Sequence, residues 1–363
     1  MARKLSFRKK VLFYSVPYVV LLLLLSGTEL VVRVIYPHVP SINIYVAGRT
    51  HADDKVGAST YEGDPLLGWR LKADLNDHWW DFTVFSTNDR HFRHRKAIER
   101  KRPDTVRIVC LGDSIVFGYR VPVSFLENPQ DYSRTDLPYA WLLEDKLNKR
   151  FPQKKVEAII MAVPGYSSHQ GLAWLKRDID WLEPDIITVS FGWNDTDPRE
   201  LPDKDTLPTN RLKVAARWLV AHSQAAIYAM RWIQSYRGNE QAGKPRVIQP
   251  RVSQTDYVEN MMAMADLGRK HGAKVILIGQ QYRDAITNPP QARQIADYRK
   301  ALATASQEAD VGFLSIPELT EDSGSTNESL FGELVHPNAI GHALIATRLE
   351  EMMIKRNFLE NGS

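Results

Sequence analysis

A chain of 363 residues with 44% hydrophobic and 25% charged residues is long enough for one large folded domain with appendages, or for two modest domains. The formal net charge of +4 is small and comes partly from the first ten residues, so no basic surface typical of a nucleic-acid-binding protein is expected. A single cysteine, Cys110, excludes an intramolecular disulfide, and no Cys or His cluster has the spacing of a zinc site.

The N-terminal residues predict a membrane anchor. Five basic residues among the first ten precede an apolar run, Val11–Leu25, and apolar character resumes after Glu29. Extended to Ile35, this stretch exceeds the roughly 20 residues that a bilayer-spanning helix needs. Residues 1–36 are therefore predicted to form a cytoplasmic basic tip and an uncleaved signal-anchor helix, with the rest of the chain outside the cytoplasm. A cleaved signal peptide is the alternative, but no clear small-x-small cleavage site ending in Ala follows the leucines.

Residues 37–103 predict a lead-in segment between the anchor and the main domain. The alternation of Trp79–Phe85 favours a short β-hairpin, and the basic stretch that ends at Pro103 is typical of a linker. We expect the aromatic residues of this segment to pack on the main domain. Stacking against a glycan is the alternative.

From residue 106 onward, apolar runs and amphipathic stretches alternate, which indicates a doubly wound parallel sheet with helices between the strands. The predicted strands are 106–111, 156–161, 185–191, 274–279 and 311–315. The predicted helices are 138–150, 169–182, 255–271, 290–309 and 338–355. Residues 196–254 interrupt this alternation and are predicted to be a helical insertion.

Within the insertion, residues 210–233 predict one long amphipathic helix. Its apolar face carries Leu212, Trp218, Leu219, Tyr228 and Trp232, and its polar face carries Arg211, Lys213, Arg217 and Arg231. Such a helix is able to cap an active site, to rest on a membrane interface or to pack on the core, and the sequence leaves these alternatives open.

The first predicted strand of the sheet ends in a segment that suits catalysis. Gly112, Asp113 and Ser114 follow the apolar run at its carboxyl end, where Gly112 is expected to permit a tight turn. Ligands of open α/β sheets bind at this end, because strand ends and helix N-termini meet there. A serine in this position is either a nucleophile or the N-cap of the next helix.

Three later segments supply the groups that a nucleophilic serine needs. Gly165 follows the second strand and Asn194 follows the third, so a backbone N–H and a side-chain amide are available as donors. His336 precedes the last helix, with Glu333 three residues upstream. Each residue alone is also typical of turns and helix starts. Together they supply the nucleophile, base, carboxylate and oxyanion donors of an acyl-transfer site.

These four blocks, Gly-Asp-Ser114, Gly165, Gly-x-Asn194-Asp and His336-Pro, occur in the order found in the SGNH, or GDSL-type, hydrolase superfamily, which residues 105–352 resemble. The resemblance implies a flavodoxin-like three-layer α/β/α sandwich with a mainly parallel five-stranded sheet over residues 104–358. It also implies ester hydrolysis or acyl transfer without a metal or cofactor. The lead-in, with Asp64-Pro-Leu-Leu-Gly-Trp and Asn88…Phe92-Arg93, resembles that of membrane-anchored bacterial members.

On this resemblance, Ser114, His336 and Glu333 are the expected catalytic residues. The oxyanion would be held by the backbone N–H groups of Ser114 and Gly165 and by the amide of Asn194. Glu333 departs from the family pattern, which usually has Asp three residues before the histidine. Because its additional methylene displaces the carboxylate, Asp322 or a backbone carbonyl is an alternative partner for the imidazole.

Four other polar residues near these blocks have structural interpretations. Asp113 and Asp195 are expected to order their loops, with acid–base work as the alternative. His169 is expected at a helix start, with pocket lining as the alternative, and His342 is expected to be a structural residue of the last helix.

We therefore expect a serine esterase, anchored in the inner membrane and facing the periplasm or exterior, that acts on O-acyl, chiefly O-acetyl, groups of a cell-surface glycan or lipid. The alternatives are an O-acyltransferase that uses the same triad and a non-catalytic polysaccharide-binding assembly factor. The expected partners are the acylated substrate, the membrane and, in addition, a membrane-bound acyltransferase, but no nucleic acid.

Overall fold

The computed structural model describes residues 7–39, 59–94, 96–122, 137–241, 247–281, 283, 289–317, 324 and 326–359. The chain divides into two compact units. The first combines Met1–Trp69 with Pro208–Pro245, and the second combines Arg70–Leu207 with Arg246–Ser363. The boundaries expected near residues 36, 103 and 358 remain predictions.

The helices and strands are numbered in chain order. The helices are α1 (Phe7–Ile35), α2 (Ser114–Phe117), α3 (Tyr139–Arg150), α4 (Ser168–Leu182), α5 (Asp203–Thr206), α6 (Arg211–His222), α7 (Gln224–Gln241), α8 (Gln254–Lys270), α9 (Pro289–Glu308), α10 (Asn327–Leu330) and α11 (Ala339–Lys355). The strands are β1 (Tyr61–Asp64), β2 (Gly68–Leu71), β3 (His78–Trp80), β4 (Thr83–Phe85), β5 (Thr105–Gly112), β6 (Lys155–Ala162), β7 (Ile186–Phe191), β8 (Pro198–Arg199), β9 (Gln249–Pro250), β10 (Lys274–Gly279) and β11 (Gly312–Ser315).

Five strands of the second unit form a parallel sheet in the order β11-β10-β7-β5-β6. β5 and β7 are buried along their whole length, as expected for apolar strands that helices cover on both faces. α3 packs against α11 on one side, and α8 packs against α4 and α9 on the other. The predicted α/β sandwich is confirmed, and its ten predicted elements end within one residue of the observed ends.

The register of this sheet brings four strand ends to one edge. Gly112 at the end of β5 pairs with Ala162 of β6 and with Ser190 of β7. Phe191 of β7 pairs with Gly279 of β10. The residues that follow these strands therefore meet at the edge where open α/β sheets bind ligands.

Part of the lead-in supports the segment that follows β5. β3 and β4 form an antiparallel hairpin where the alternating sequence predicted one, and the Phe85 ring packs edge-on against Phe117, with ring centroids 4.9 Å apart. Arg93 donates to the carbonyls of Phe117 and Gly118, and its guanidinium lies 4.6 Å from the centre of the Phe117 ring. These contacts hold the end of α2 in place.

The first unit contains α1, α6 and α7. Within α1, the 23-residue stretch Phe13–Ile35 is exposed, and its length and composition would allow it to cross a membrane. A signal sequence near an N-terminus has the same properties, so both alternatives from the sequence stay open.

The prediction of one helix over residues 210–233 is wrong, because α6 ends at His222 and α7 begins at Gln224. Ser223 between them has extended backbone angles, and its hydroxyl accepts a hydrogen bond from the backbone N–H of Ala226 at 3.1 Å. Ser223 thus caps a new helix. The carboxylate of Glu29 accepts the first two backbone N–H groups of α7, which favours the break because a continuous helix would use those groups internally.

Candidate active site

Ser114 lies directly after β5 as the first residue of the short helix α2. The carboxylate of Asp113 caps this helix by accepting the N–H of Ile115 at 3.0 Å. The alternative that Ser114 is itself the cap is therefore wrong. Ser114 is 6% exposed, and its hydroxyl is available for a different contact.

Gly112 is needed for close packing rather than for a left-handed turn. A Cβ atom at this position would lie 2.2 Å from the side chain of Val116 and 2.6 Å from the carbonyl oxygen of Ser190. The helix α2 begins only two residues after Gly112, the last residue of β5, so the chain makes the expected tight turn directly after this glycine. Its missing side chain lets α2 start directly against β7.

His336 provides the contact that Ser114 makes. Its Nε2 atom lies 2.7 Å from the Ser114 Oγ atom, and its side chain is 13% exposed. Asn338, two residues later, caps α11 by accepting the N–H groups of Ile340 and Gly341. The ring of Tyr119 packs edge-on against the imidazole, with ring centroids 4.8 Å apart. The start of α11 and Tyr119 thus fix the histidine from two sides.

Glu333 contacts the other ring nitrogen of His336. Its Oε1 atom is in contact with His336 Nδ1 and also accepts the backbone N–H of the same residue at 3.0 Å. Burial opposes ionisation of this carboxyl, but the hydrogen bonds and charge of His336, with Arg120, outweigh it and lower the pKa of Glu333. The longer side chain therefore reaches the ring by folding back over its own turn. The alternative partner Asp322 lies outside the described residues.

The two expected oxyanion donors outside Ser114 lie at the neighbouring strand ends. Asn194 begins a short 3₁₀ turn after β7, and its amide nitrogen donates to the carbonyl of Tyr166 at 3.0 Å and to Asp113 at 3.3 Å. Gly165 follows β6 and has a φ of 85°, a left-handed conformation that glycine adopts without strain. The structure brings both residues to the edge that carries Ser114.

Gln280, which the sequence reasoning missed, connects Asp113 to the loop of Asn194. Its amide nitrogen donates to Asp113 Oδ2 at 2.9 Å, and its amide oxygen accepts the N–H of Trp193 at 2.8 Å. Burial raises the pKa of Asp113 to about 6, although the hydrogen bonds that it accepts from Gln280 and from the N–H of Ile115 favour its ionised form. The sequence does contain a signal for Gln280, since this polar residue comes directly after β10, a strand that ends at the same edge of the sheet as β5 and β7.

A buried ion pair, also missed, holds the loop of Gly165. Arg251 and Asp203 are both almost fully buried, with the guanidinium Nε atom 2.8 Å from the carboxylate. Arg251 also donates to the Gly165 carbonyl at 2.6 Å, and Asp203 accepts the hydroxyl of Ser167 at 2.5 Å. No motif marked this pair, since its residues lie in the irregular part of the sequence.

The other polar residues singled out from the sequence lie around this centre. Asp195 accepts the backbone N–H of Ser168 at 3.0 Å, and burial raises the pKa of Asp195 to about 7. His169 lies in the first turn of α4. His342 is buried in α11, where its Nδ1 atom accepts the backbone N–H of Tyr139 at 3.1 Å.

Comparison with protein families matches residues 110–344 to the model of the GDSL-like lipase/acylhydrolase family. This match covers more than half of the chain. Comparison with curated protein sequences gave no match.

Several solved structures are similar to the chain. A lipase/acylhydrolase from Enterococcus faecalis has 16% identity and a TM-score of 0.44, and the alignment covers 69% of this chain and 96% of that one. An acetylxylan esterase from Geobacillus stearothermophilus has 14% identity and a TM-score of 0.45, covering 68% of this chain and 94% of that one. An alpha/beta hydrolase enzyme from the metagenome of Lake Arreo has 15% identity and a TM-score of 0.44, with the same two coverages.

Proposed function

The chain belongs to the GDSL-like lipase/acylhydrolase family and is a carboxylic ester hydrolase, and we propose that it acts through a triad of Ser114, His336 and Glu333. The 2.7 Å contact between Ser114 Oγ and His336 Nε2 carries this proposal. With Glu333 holding Nδ1 in its protonated form, Nε2 is free to accept the serine proton.

Acylation follows from this geometry. As Ser114 Oγ forms a bond to the ester carbonyl carbon, its proton moves to His336 Nε2, and the carbonyl oxygen becomes an oxyanion. His336 then gives the proton to the alcohol oxygen as the C–O bond breaks, which leaves an acyl group on Ser114. The ionised Glu333 stabilises the positive charge that His336 carries between these two steps.

Deacylation uses the same groups with water as the nucleophile. Water gives a proton to His336 as it attacks the acyl carbon, and the proton returns to Ser114 when the carboxylic acid leaves. In both steps the oxyanion is held by the N–H groups of Ser114 and Gly165 and by the Asn194 amide, which exchanges its long 3.3 Å contact with Asp113 for the oxyanion.

The surroundings of the serine support a small acyl group as substrate. Ser114 is 6% exposed, and the buried side chains of Ile115 and Val335 belong to one apolar cluster on which Trp193 packs. A long acyl chain needs open apolar surface next to the nucleophile. We therefore propose O-acetyl esters of a cell-surface glycan or lipid, in which the bulky part is the alcohol.

Fluorophosphonate labelling and an acyl-length series test this function. The full-length protein in detergent should react with the probe at Ser114 and should hydrolyse acetyl esters faster than butyryl or octanoyl esters of the same alcohol. The Ser114→Ala variant should lose both properties. Ser306→Ala, which removes a buried hydroxyl that donates within α9, should keep them.

Activity in Ser114→Ala equal to that of the wild-type protein would contradict the triad. Release of acetate should match ester consumption in the presence of sugars. A deficit of acetate together with an acylated sugar would show acyl transfer instead of hydrolysis.

The location of the protein is proposed from α1. Its exposed apolar stretch and the preceding basic residues favour a signal-anchor helix in the inner membrane, with the hydrolase domain in the periplasm. The full-length protein should resist extraction by alkaline carbonate. In spheroplasts, an external protease should digest it, whereas in intact cells it should stay protected.

A further inference from the structure

The helix α6 exposes an apolar stripe that a water-soluble helix would bury. Leu212, Ala215, Ala216 and Leu219 have the i, i+3, i+4, i+7 spacing of one helix face, and all four are exposed. Leu212 is 84% exposed and Leu219 is 64% exposed. The opposite face, which contains Ala221, is the buried one. The apolar face of α6 therefore points to the surface of the molecule and not to its interior.

The helix α7 repeats this arrangement. Ala229, Trp232, Ile233 and Tyr236 have the same spacing and are all exposed, with Trp232 at 72%. The Trp232 and Tyr236 rings stack with centroids 6.4 Å apart. Tryptophan and tyrosine are the residues that concentrate where a bilayer meets water, because their rings are apolar and their polar atoms stay hydrated.

The charged residues described in this helix pair also share one sign. Every charged residue in α6 is basic, and Arg231 is the charged residue in the part of α7 whose side chains are described. Arg211 and Lys213 are exposed and flank the apolar stripe of α6, and Arg231 is exposed on α7. Apolar stripes edged by Arg and Lys are typical of helices that lie in the surface of a membrane containing anionic lipids.

Glu29 joins this helix pair to α1. Its carboxylate accepts the hydroxyl of Ser223 at 2.7 Å and the backbone N–H groups of Gln224 and Ala225 at 2.9 and 3.1 Å. A carboxylate on a membrane-spanning helix is costly unless it is paired, and the N-terminus of α7 supplies the paired donors. Glu29 therefore has a structural reason to occur within an apolar helix.

Arg33 adds a second contact at the same level. It donates to Glu29 at 2.6 Å and to the carbonyl of His222 at 2.9 Å. The second hydrogen bond pairs a carbonyl group in the last turn of α6. Further along, the hydroxyl of Tyr228 donates to the carbonyl of Pro37 at 2.9 Å. These contacts fix the α6–α7 junction against the C-terminal part of α1.

The position of Glu29 along α1 sets the depth of the junction. Ile35, the last residue of α1, lies six positions after Glu29, which corresponds to about 9 Å of helix. If α1 spans the bilayer, the junction lies just below the surface from which the chain emerges. Helices that leave this junction enter the headgroup and upper acyl region, the layer that amphipathic helices occupy.

We propose that α6 and α7 lie in the outer surface of the bilayer that α1 spans, with their apolar stripes inserted among the lipids and their basic residues at anionic headgroups. This inference rests on the proposed membrane anchor. Lipid fits better than a second protein, because α1, which contacts the α6–α7 junction, is itself an exposed apolar helix and because basic residues border the stripe of α6.

Site-specific fluorescence tests this placement in the full-length protein. Cys110 is fully buried, so a cysteine introduced as Leu219→Cys or Trp232→Cys is the one that an NBD reagent labels under native conditions. Lys149→Cys, on an exposed side chain of α3, is the matched control. Each protein is reconstituted into liposomes of phosphatidylcholine and phosphatidylglycerol, and carbonate extraction is measured in parallel.

The labels at positions 219 and 232 should have blue-shifted emission and should lose most of their fluorescence to lipids that carry a nitroxide near the headgroup. The label at position 149 should instead be quenched by aqueous iodide. Carbonate-resistant protein whose labels at 219 and 232 are quenched by iodide would overturn the placement but keep the anchor. Labels shielded from both quenchers would indicate a protein contact and also overturn it. Release by carbonate would refute the anchor itself.

Discussion

The Oγ atom of Ser114 and the Nε2 atom of His336 lie 2.7 Å apart, although the two residues are 222 positions apart in the chain. The end of β5 positions the serine, and the capped start of α11 positions the histidine. Neighbouring groups hold each of these two positions, and we expect changes to these groups to alter activity or stability.

Glu333→Gln should lower kcat by about 10³–10⁴-fold, because an amide neither selects the Nδ1-protonated imidazole nor stabilises its charged form. Glu333→Asp keeps the charge and should lose less. Kinetics of acetyl ester hydrolysis check both variants. Full kcat in Glu333→Gln would mean that another group, such as Asp322 or a backbone carbonyl, orients the ring.

Asn194→Ala should lower kcat by about 10²–10³-fold with little change in KM, because its amide is proposed to hold the oxyanion and not the ground-state ester. Steady-state kinetics over a range of ester concentrations separate the two constants. A rise in KM at constant kcat would assign Asn194 to substrate binding instead.

Arg251→Met should reduce the free energy of unfolding by about 3–5 kcal/mol, because it leaves the buried Asp203 carboxylate without its partner. It should also lower kcat by up to about 10²-fold, since the loop of Gly165 loses a hydrogen bond. Arg199→Met breaks a partly exposed pair with Asp197 and should cost less than about 1 kcal/mol. Denaturant unfolding and kinetics of both variants test this difference. Unchanged kcat in folded Arg251→Met would limit the pair to stability.

His342 should make the protein sensitive to acid. Burial lowers the pKa of His342 to about 3, whereas the unfolded chain binds a proton near the ordinary value of 6.5. The unfolded state therefore binds more protons between these values, and stability falls as the pH falls from about 6.5.

His342→Asn keeps an acceptor for the Tyr139 N–H but does not titrate. Between pH 7 and about pH 5, the wild-type protein should lose roughly 2 kcal/mol more stability than this variant. Urea unfolding at the two pH values measures the difference. Equal losses would show that other groups cause the acid sensitivity.

Local patterns were sufficient for the main domain and for the chain positions of the site residues. Apolar runs such as Ile108–Leu111 predicted the strands, and the rule that ligands bind at strand ends selected Ser114, Gly165 and Asn194. The hydrophobic pattern gave a wrong prediction at residues 210–233. The apolar periodicity continues through Ser223, but the helical backbone is interrupted there. Glu29 favours the break by accepting the first N–H groups of α7, and periodicity carries no information about an acceptor so far away in the chain.

The sequence by itself determined the α/β class, the family and the blocks that bring a serine, a glycine, an asparagine and a histidine to one sheet edge, because each depends on neighbouring residues. Only the tertiary structure decided that Asp113, not Ser114, caps α2, that Glu333 reaches the imidazole, and that Gln280 and Arg251 hold the loops around them. Those relationships are distances between atoms from separate elements. They follow from sheet register and from the need to pair buried polar groups, neither of which a local pattern records.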